Sequence, residues 1–344
     1  MSNKNVRKYL QVLGVISCLA VVFLHTNGVF WTFSYERYWI TANIIESVCY
    51  FAVPVFLMTS GCNLMDYRKS YDTKTYFKKR IAKTVIPFII WSLIGCVYNI
   101  VMHVWGMESL SPAAVFNAIF GTSAVGIYWF FMPLFSIYLI IPALSLIPEE
   151  NRQKMFGYLL SMGFIFNMLL PFIFGFIGLN YNGSLYVPLM SGYMIYPIAG
   201  YYIDRYPIKK KHRMISYIAG VLGLMLHIVG TMLWSFRDGM INEAFKGYLN
   251  VPCVLYTIAI FIFFKYMDQT KWMDLLHKVT YIFADTTFGV YLIHFFVMDL
   301  FLRLSGIHPT SIVYRIVGGF GIFLISVICT KMIKKIPILQ RIIP

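Results

Sequence analysis

Residues 9–31 read YLQVLGVISCLAVVFLHTNGVFW, and this stretch decides the fold. About 20 apolar residues at 1.5 Å rise each cover a hydrocarbon core of roughly 30 Å, so the stretch is long enough to cross a bilayer as one helix. It holds one titratable group deep inside, His25. A histidine in hydrocarbon is costly and by default faces a protein interior or a wet cavity. Steps of four, three and four back from it reach Val21, Cys18 and Gly14, with Gln11 nearly one turn further, so these residues share a helical face. That face is small and polar, and it is expected to wall a buried cleft ending at His25. The alternative for His25 is a hydrogen bond between helices with no chemical role.

Working outward, the whole chain has the same character. It is 59% hydrophobic, 18% aromatic and only 12% charged over 344 residues, whereas soluble domains carry about 25% charged residues. The expected fold is all-α, a polytopic membrane helix bundle. A net charge of +15 could signal nucleic acid, but in such a chain basic residues are set by membrane topology, and no nucleic-acid partner is expected. The six cysteines show no CxxC spacing, so neither a disulfide framework nor a thiolate metal site is signalled. The first apolar run has no small-residue cleavage pattern and reads as a retained span rather than a signal peptide.

Hydropathy and turn residues predict about ten transmembrane helices, near 9–31, 40–63, 83–104, 125–147, 155–177, 185–203, 214–235, 249–267, 282–303 and 312–333. With the N-terminus inside, the inner segments hold Lys4, Arg7 and Lys8, the cluster from Arg68 to Lys83, and most other basic residues. Only Arg37, Arg237, Lys246, Arg303 and Arg315 fall on the outer side. The positive-inside rule therefore places both termini in the cytoplasm. No linker or repeat divides residues 1–344, which read as a single membrane domain.

Few residues in the spans can do chemistry. Glu46 lies about 9 Å below the outer end of the second span at helical rise, a depth similar to that of His25. A carboxylate against an imidazole fixes its tautomer and raises its basicity, as a general base acting on a hydroxyl requires. The bland alternative is a buried pair that only ties two helices. The inner loop DYRKSYDTKTYFKKRIAK carries seven basic residues. Such loops ordinarily reflect topology or anionic lipid, and otherwise can seat phosphates, with Arg80 best suited because guanidinium grips phosphate bidentately. His103 and His227 read as interfacial, while His294, in FGVYLIHFF, is deep enough to line a site. No GxSxG, Walker loop, HExxH or acidic metal cluster is present, and no metal is expected.

Six segments taken in order give a more specific signal: LAVVFLH ending at His25, FAVPVFLMTSGCNLM from Phe51, YFKKRIAKTVIPFIIW from Tyr76, IYWFFMPLFSIYLIIPAL from Ile127, YMIYPIAGYYI from Tyr193 and FGVYLIH from Phe288. Together they resemble the acyltransferase 3 family of integral membrane O-acyltransferases, which includes bacterial polysaccharide O-acetyltransferases. The resemblance implies transfer of an acyl group, usually acetyl, from cytoplasmic acyl-CoA to a hydroxyl of a glycan or lipid-linked saccharide. It implies a multi-pass protein of the cell membrane among lipids, with acetyl-CoA or another acyl-CoA as co-substrate and no bound cofactor. The family histidine matches His25, and the arginine of its basic loop matches Arg80, with Lys79 and Lys83 beside it as further donor-binding candidates. Ser60 and Gly61 match its second-span motif, Trp129 its tryptophan, and Tyr291 and His294 its late tyrosine and histidine. The chain departs from the family at Gly14 and Gln11, where members commonly carry arginine and aspartate. The expected arrangement puts acyl-CoA phosphates on Arg80, the thioester along Gly14, Cys18 and Val21, and a sugar hydroxyl at His25 oriented by Glu46, with Trp129 near the oxyanion. The alternative is a transporter or flippase of a polysaccharide or lipid-linked sugar that uses the same fold.

Overall fold

The computed structural model describes residues 7–344; Lys4, counted above on the inner side, lies outside them. The described residues form an all-helical bundle, and eight helices are long and apolar enough to cross a membrane. A further apolar pair, Val251–Met267 and Lys271–Phe283, is bent by 106° between its two helices. The remaining expected span, 185–203, is only half helical. Short turns at Gly183–Leu185, Pro188–Met190 and Gly192–Met194 lead into an 11-residue helix, Ile195–Arg205. Its apolar composition satisfies hydropathy, but Pro188 lacks an amide donor and Gly192 takes φ +54, so no continuous helix forms there.

The first span is α1, Lys8–Thr26, and it packs against helices from both halves of the chain. The second, Arg37–Lys69, is broken into α2, Arg37–Cys49, and α3, Ala52–Leu64. The break follows from Pro54, which cannot donate to the carbonyl four residues back. Tyr256 occupies the gap: its hydroxyl accepts from the Phe51 amide at 3.1 Å and donates to the Val48 carbonyl. The third span opens with α4, Thr73–Arg80, capped by the Asp72 carboxylate on the Thr75 amide at 2.9 Å. It widens into a π-turn at Ile81–Val85 and continues as α5, Ile86–Val101. Wide turns of this kind often mark functional positions, and this one carries Lys83, three residues after Arg80.

In lipid, helices associate through close packing and polar contacts rather than through water exclusion. At Gly61, a methyl group would overlap the carbonyl of Pro197, and at Gly200 one would overlap that of Met58, so α3 and Ile195–Arg205 cross backbone to backbone. At one end of the bundle, ion pairs gather the helix termini: Arg7 with Asp204 at 2.5 Å, Lys8 with Asp274 at 2.7 Å, and buried Arg152 with Asp66 at 2.6 Å. This is the basic end, where α1 begins and α3 and α4 meet. The opposite end, where α1 finishes and α2 begins, is tied by bonds such as Trp39 Nε1 to the Phe30 carbonyl and Asn43 to the Ile228 carbonyl, both 2.8 Å.

Candidate active site

His25 sits in the last turn of α1, about 25 Å along the helix from Lys8 at 1.5 Å per residue. It lines a cavity of about 310 Å³ together with Glu46 of α2, Trp129 and Tyr291. Tyr50 and Tyr248 complete an aromatic wall: Tyr50 and Tyr248 stack with centroids 4.1 Å apart, and Tyr248 stacks on Trp129 at 5.5 Å. The break in the second span matters here, because it turns Glu46 and Tyr50 toward α1 while α3 continues to the basic end.

Glu46 shares the cavity with His25 but is not its hydrogen-bond partner, contrary to the sequence expectation. Asn27, just past the end of α1, captures it: the Asn27 amide donates to Glu46 Oε2 at 3.3 Å and to the Ala42 carbonyl at 2.8 Å. The Asn27 carbonyl oxygen in turn accepts from Arg315 at 3.3 Å. Arg315 is 1% exposed and also donates to Thr41 Oγ1 at 2.8 Å and to the Tyr38 carbonyl at 3.2 Å. Lys246, 2% exposed, lies 4.1 Å from the centre of the Phe30 ring and 5.0 Å from that of Tyr50. Burial pulls its pKa below the ordinary lysine range, and the nearby Glu46 carboxylate opposes that pull. The positive-inside count places Lys246 and Arg315 on the outer side and does not foresee their burial. Arg315 carried a usable signal, since an arginine at the fourth position of an apolar span is a buried charge in need of partners; Lys246 carried none.

The group that His25 does meet is His294, whose ring centroid is 5.2 Å away. His294 is fully buried on the Thr287–Ser305 helix. Its Nδ1 lies 2.9 Å from the Val290 carbonyl, and because a carbonyl only accepts, Nδ1 carries the proton and Nε2 presents a lone pair. That Nε2 is buried with no partner among the described residues. A buried acceptor without a donor is costly, and the His25 imidazole, with its centroid 5.2 Å away, is able to supply one.

A second cavity, of about 330 Å³, opens toward the basic end and brings together Arg80, Lys83 and Ser60 with Thr84 and Tyr138. The Arg80 guanidinium lies over the Tyr76 ring at 5.9 Å and the Tyr138 ring at 5.6 Å, and makes no ion pair among the described residues. Lys79 does not join this cavity. One residue before Arg80, it points to the other side of α4, where its ammonium rests 3.8 Å from the centre of the Tyr71 ring.

The expected cleft along one face of α1 is divided. Val21 and His25 face the first cavity, whereas Gln11 and Gly14 face a third, of about 750 Å³, next to Asp285 and Lys331. Between them Cys18 is buried and donates to the Thr287 carbonyl at 3.4 Å, so packing against the late helix closes the face at its middle. A β-carbon at position 14 would meet no neighbouring atom within 4 Å, and Gln11 is held by His277. The third cavity adjoins the second, sharing Phe56, Thr59 and Thr287 with it.

A basic cavity and an imidazole-bearing cavity on one axis of a helix bundle suit a reaction whose two substrates approach from opposite ends. The family model of the acyltransferase domain (acyltransferase 3) matches residues 7–331. No curated protein and no solved structure matches the chain.

Proposed function

Since the chain belongs to the acyltransferase 3 family and is a membrane acyltransferase, we propose that it moves an acetyl group from acetyl-CoA to a hydroxyl of a cell-surface polysaccharide or its lipid-linked precursor. The observation that carries this reading is the pair of cavities, one basic and one holding His25, that share the side chains Phe130 and Tyr291. The donor's phosphates bind at Arg80 and Lys83, where guanidinium and ammonium meet anions with charge-assisted bonds. The basic end faces the cytoplasm, as the distribution of lysine and arginine supports, and the membrane is the cell membrane.

The acceptor enters from the opposite end. Its sugar ring lies against Trp129, Tyr248 and Tyr50, whose flat faces suit the apolar faces of a pyranose. His25 Nε2 or Nδ1 removes the proton of the acceptor hydroxyl while the His294 lone pair takes the remaining imidazole N–H, which fixes the tautomer. The hydroxyl oxygen forms the new C–O bond at the thioester carbonyl, and the C–S bond then breaks. The proton held by His25 passes to the departing sulfur, so the products are the sugar ester and free CoA. Glu46, held in place by the Asn27 amide, accepts a neighbouring hydroxyl of the sugar and orients it.

The test is incorporation of radiolabelled acetyl from acetyl-CoA into glycan by membranes that contain the protein, against membranes that lack it. Label in the glycan fraction is the expected result. Loss of surface glycan without any change in its ester content in a deletion strain would instead favour export of the glycan.

A further inference from the structure

The two side chains common to both cavities stand where donor and acceptor must meet. The rings of Phe130 and Tyr291 approach edge to face, with centroids 5.8 Å apart at 72°. Each ring is only half-buried although it lies inside the bundle, because it faces a cavity on both sides. An acyl group delivered from Arg80 to His25 passes these two rings, which line both cavities.

This partition is braced in a particular way. Tyr291 donates its hydroxyl to the Ile127 carbonyl at 2.6 Å, and Tyr128 reaches back to the Leu292 carbonyl at 2.5 Å. These two reciprocal bonds bolt the turn Gly126–Phe130 to the Thr287–Ser305 helix. Phe131 adds an edge contact to Tyr291, with centroids 5.6 Å apart. Tyr291 is thereby fixed. Phe130 has no such bond, and only packing against Phe56, at 6.3 Å, backs it from the basic side. Of the two rings, Phe130 can be trimmed without breaking a bolt.

We propose that Phe130 and Tyr291 form a sieve between the donor and acceptor cavities that admits a two-carbon acyl group and rejects longer ones, with Phe130 as the specificity-determining side chain. The inference rests on the reading above that the donor is held at Arg80 and the acceptor at His25. A chain extended beyond acetyl carries methylenes that must occupy the space between two aromatic edges, one of which is pinned. Apolar pockets discriminate one methylene by about 10- to 200-fold, so two extra methylenes give a large and measurable ratio.

The experiment measures transfer from acetyl-, propionyl- and butyryl-CoA, with membranes of the producing cell as the source of acceptor. It compares wild type with Phe130→Ala and Phe130→Leu at matched protein levels. Wild type is expected to prefer acetyl over butyryl by about 100-fold or more. Phe130→Ala is expected to narrow that ratio by at least about tenfold, with Phe130→Leu in between, while acetyl transfer continues. Phe130→Leu nearly conserves apolar character and serves where the alanine variant does not accumulate. A ratio that stays at the wild-type value in both variants while acetyl is still transferred overturns the sieve. So does a wild type that uses butyryl-CoA as well as acetyl-CoA. If the wild type moves no acyl group from any donor, the sieve falls together with the donor–acceptor reading beneath it, and this outcome is distinct from an unaltered ratio.

Discussion

The two cavities on either side of Phe130 are built differently. The basic one draws its cations, Arg80 and Lys83, from a single turn of helix, and neither makes an ion pair among the described residues. The other draws His25, Glu46, Trp129 and Tyr291 from four separate segments, and behind its wall lie the buried charges Lys246 and Arg315. A site that grips phosphate needs only density of charge, which neighbouring residues in sequence can supply. A site that moves a proton needs a fixed tautomer and a fixed direction, and those come from partners on other helices. The first should therefore degrade gradually when altered, and the second abruptly.

The sharpest way to break this contrast is His25→Ala. Loss of a positioned general base is expected to cost about 10³-fold in kcat, with the KM for acetyl-CoA nearly unchanged, measured at saturating donor. An enzyme that keeps most of its kcat would remove His25 from the proton transfer. Next in size is Arg80→Ala. One charge-assisted contact to phosphate contributes about 1.5–3 kcal/mol, so the KM for acetyl-CoA should rise roughly 10- to 100-fold while kcat at saturating donor holds. A fall in kcat with unchanged KM would mean that Arg80 acts on the acyl group and not on the phosphates.

His294 sharpens the comparison further. Replacing it with Phe removes the lone pair facing His25 and is expected to lower kcat about tenfold, with both KM values little changed. His294→Gln restores an acceptor and should recover part of that loss. Equal activity in the two variants would reduce His294 to packing. The smallest effect belongs to Lys79→Ala, which should leave the KM for acetyl-CoA within about twofold, because an exposed ammonium resting on Tyr71 contributes little. If Lys79→Ala matched Arg80→Ala, the basic cavity would be a diffuse field rather than a directed grip.

How much of this could be read beforehand differs between the two cavities. Arg80, Lys83 and Ser60 were legible because charge density and motif order are local, and the structure puts all three on one cavity. His25 was legible as the lone ionisable group in an apolar span. Its pairing was not. Glu46 matched it in depth, but depth along two helices says nothing about rotation, and Asn27 took the carboxylate instead. The continuous face from Gln11 to His25 was likewise real as a helical face, yet α1 is packed all round, so different parts of that face meet different cavities.

Sequence by itself determined that the chain is a helical membrane bundle, because apolar length and the need to satisfy every backbone amide within lipid leave no other solution for it. It also determined the family, through the order of its segments, and the few ionisable groups that the membrane tolerates. Tertiary structure alone decided which of those groups meet. His294 rather than Glu46 stands against His25, Lys246 and Arg315 are buried, and Phe130 and Tyr291 line both cavities. Those outcomes depend on helix rotation, on the break at Pro54 and on hydrogen bonds such as Tyr291 to Ile127. They join residues far apart in the chain, and no local pattern encodes such contacts.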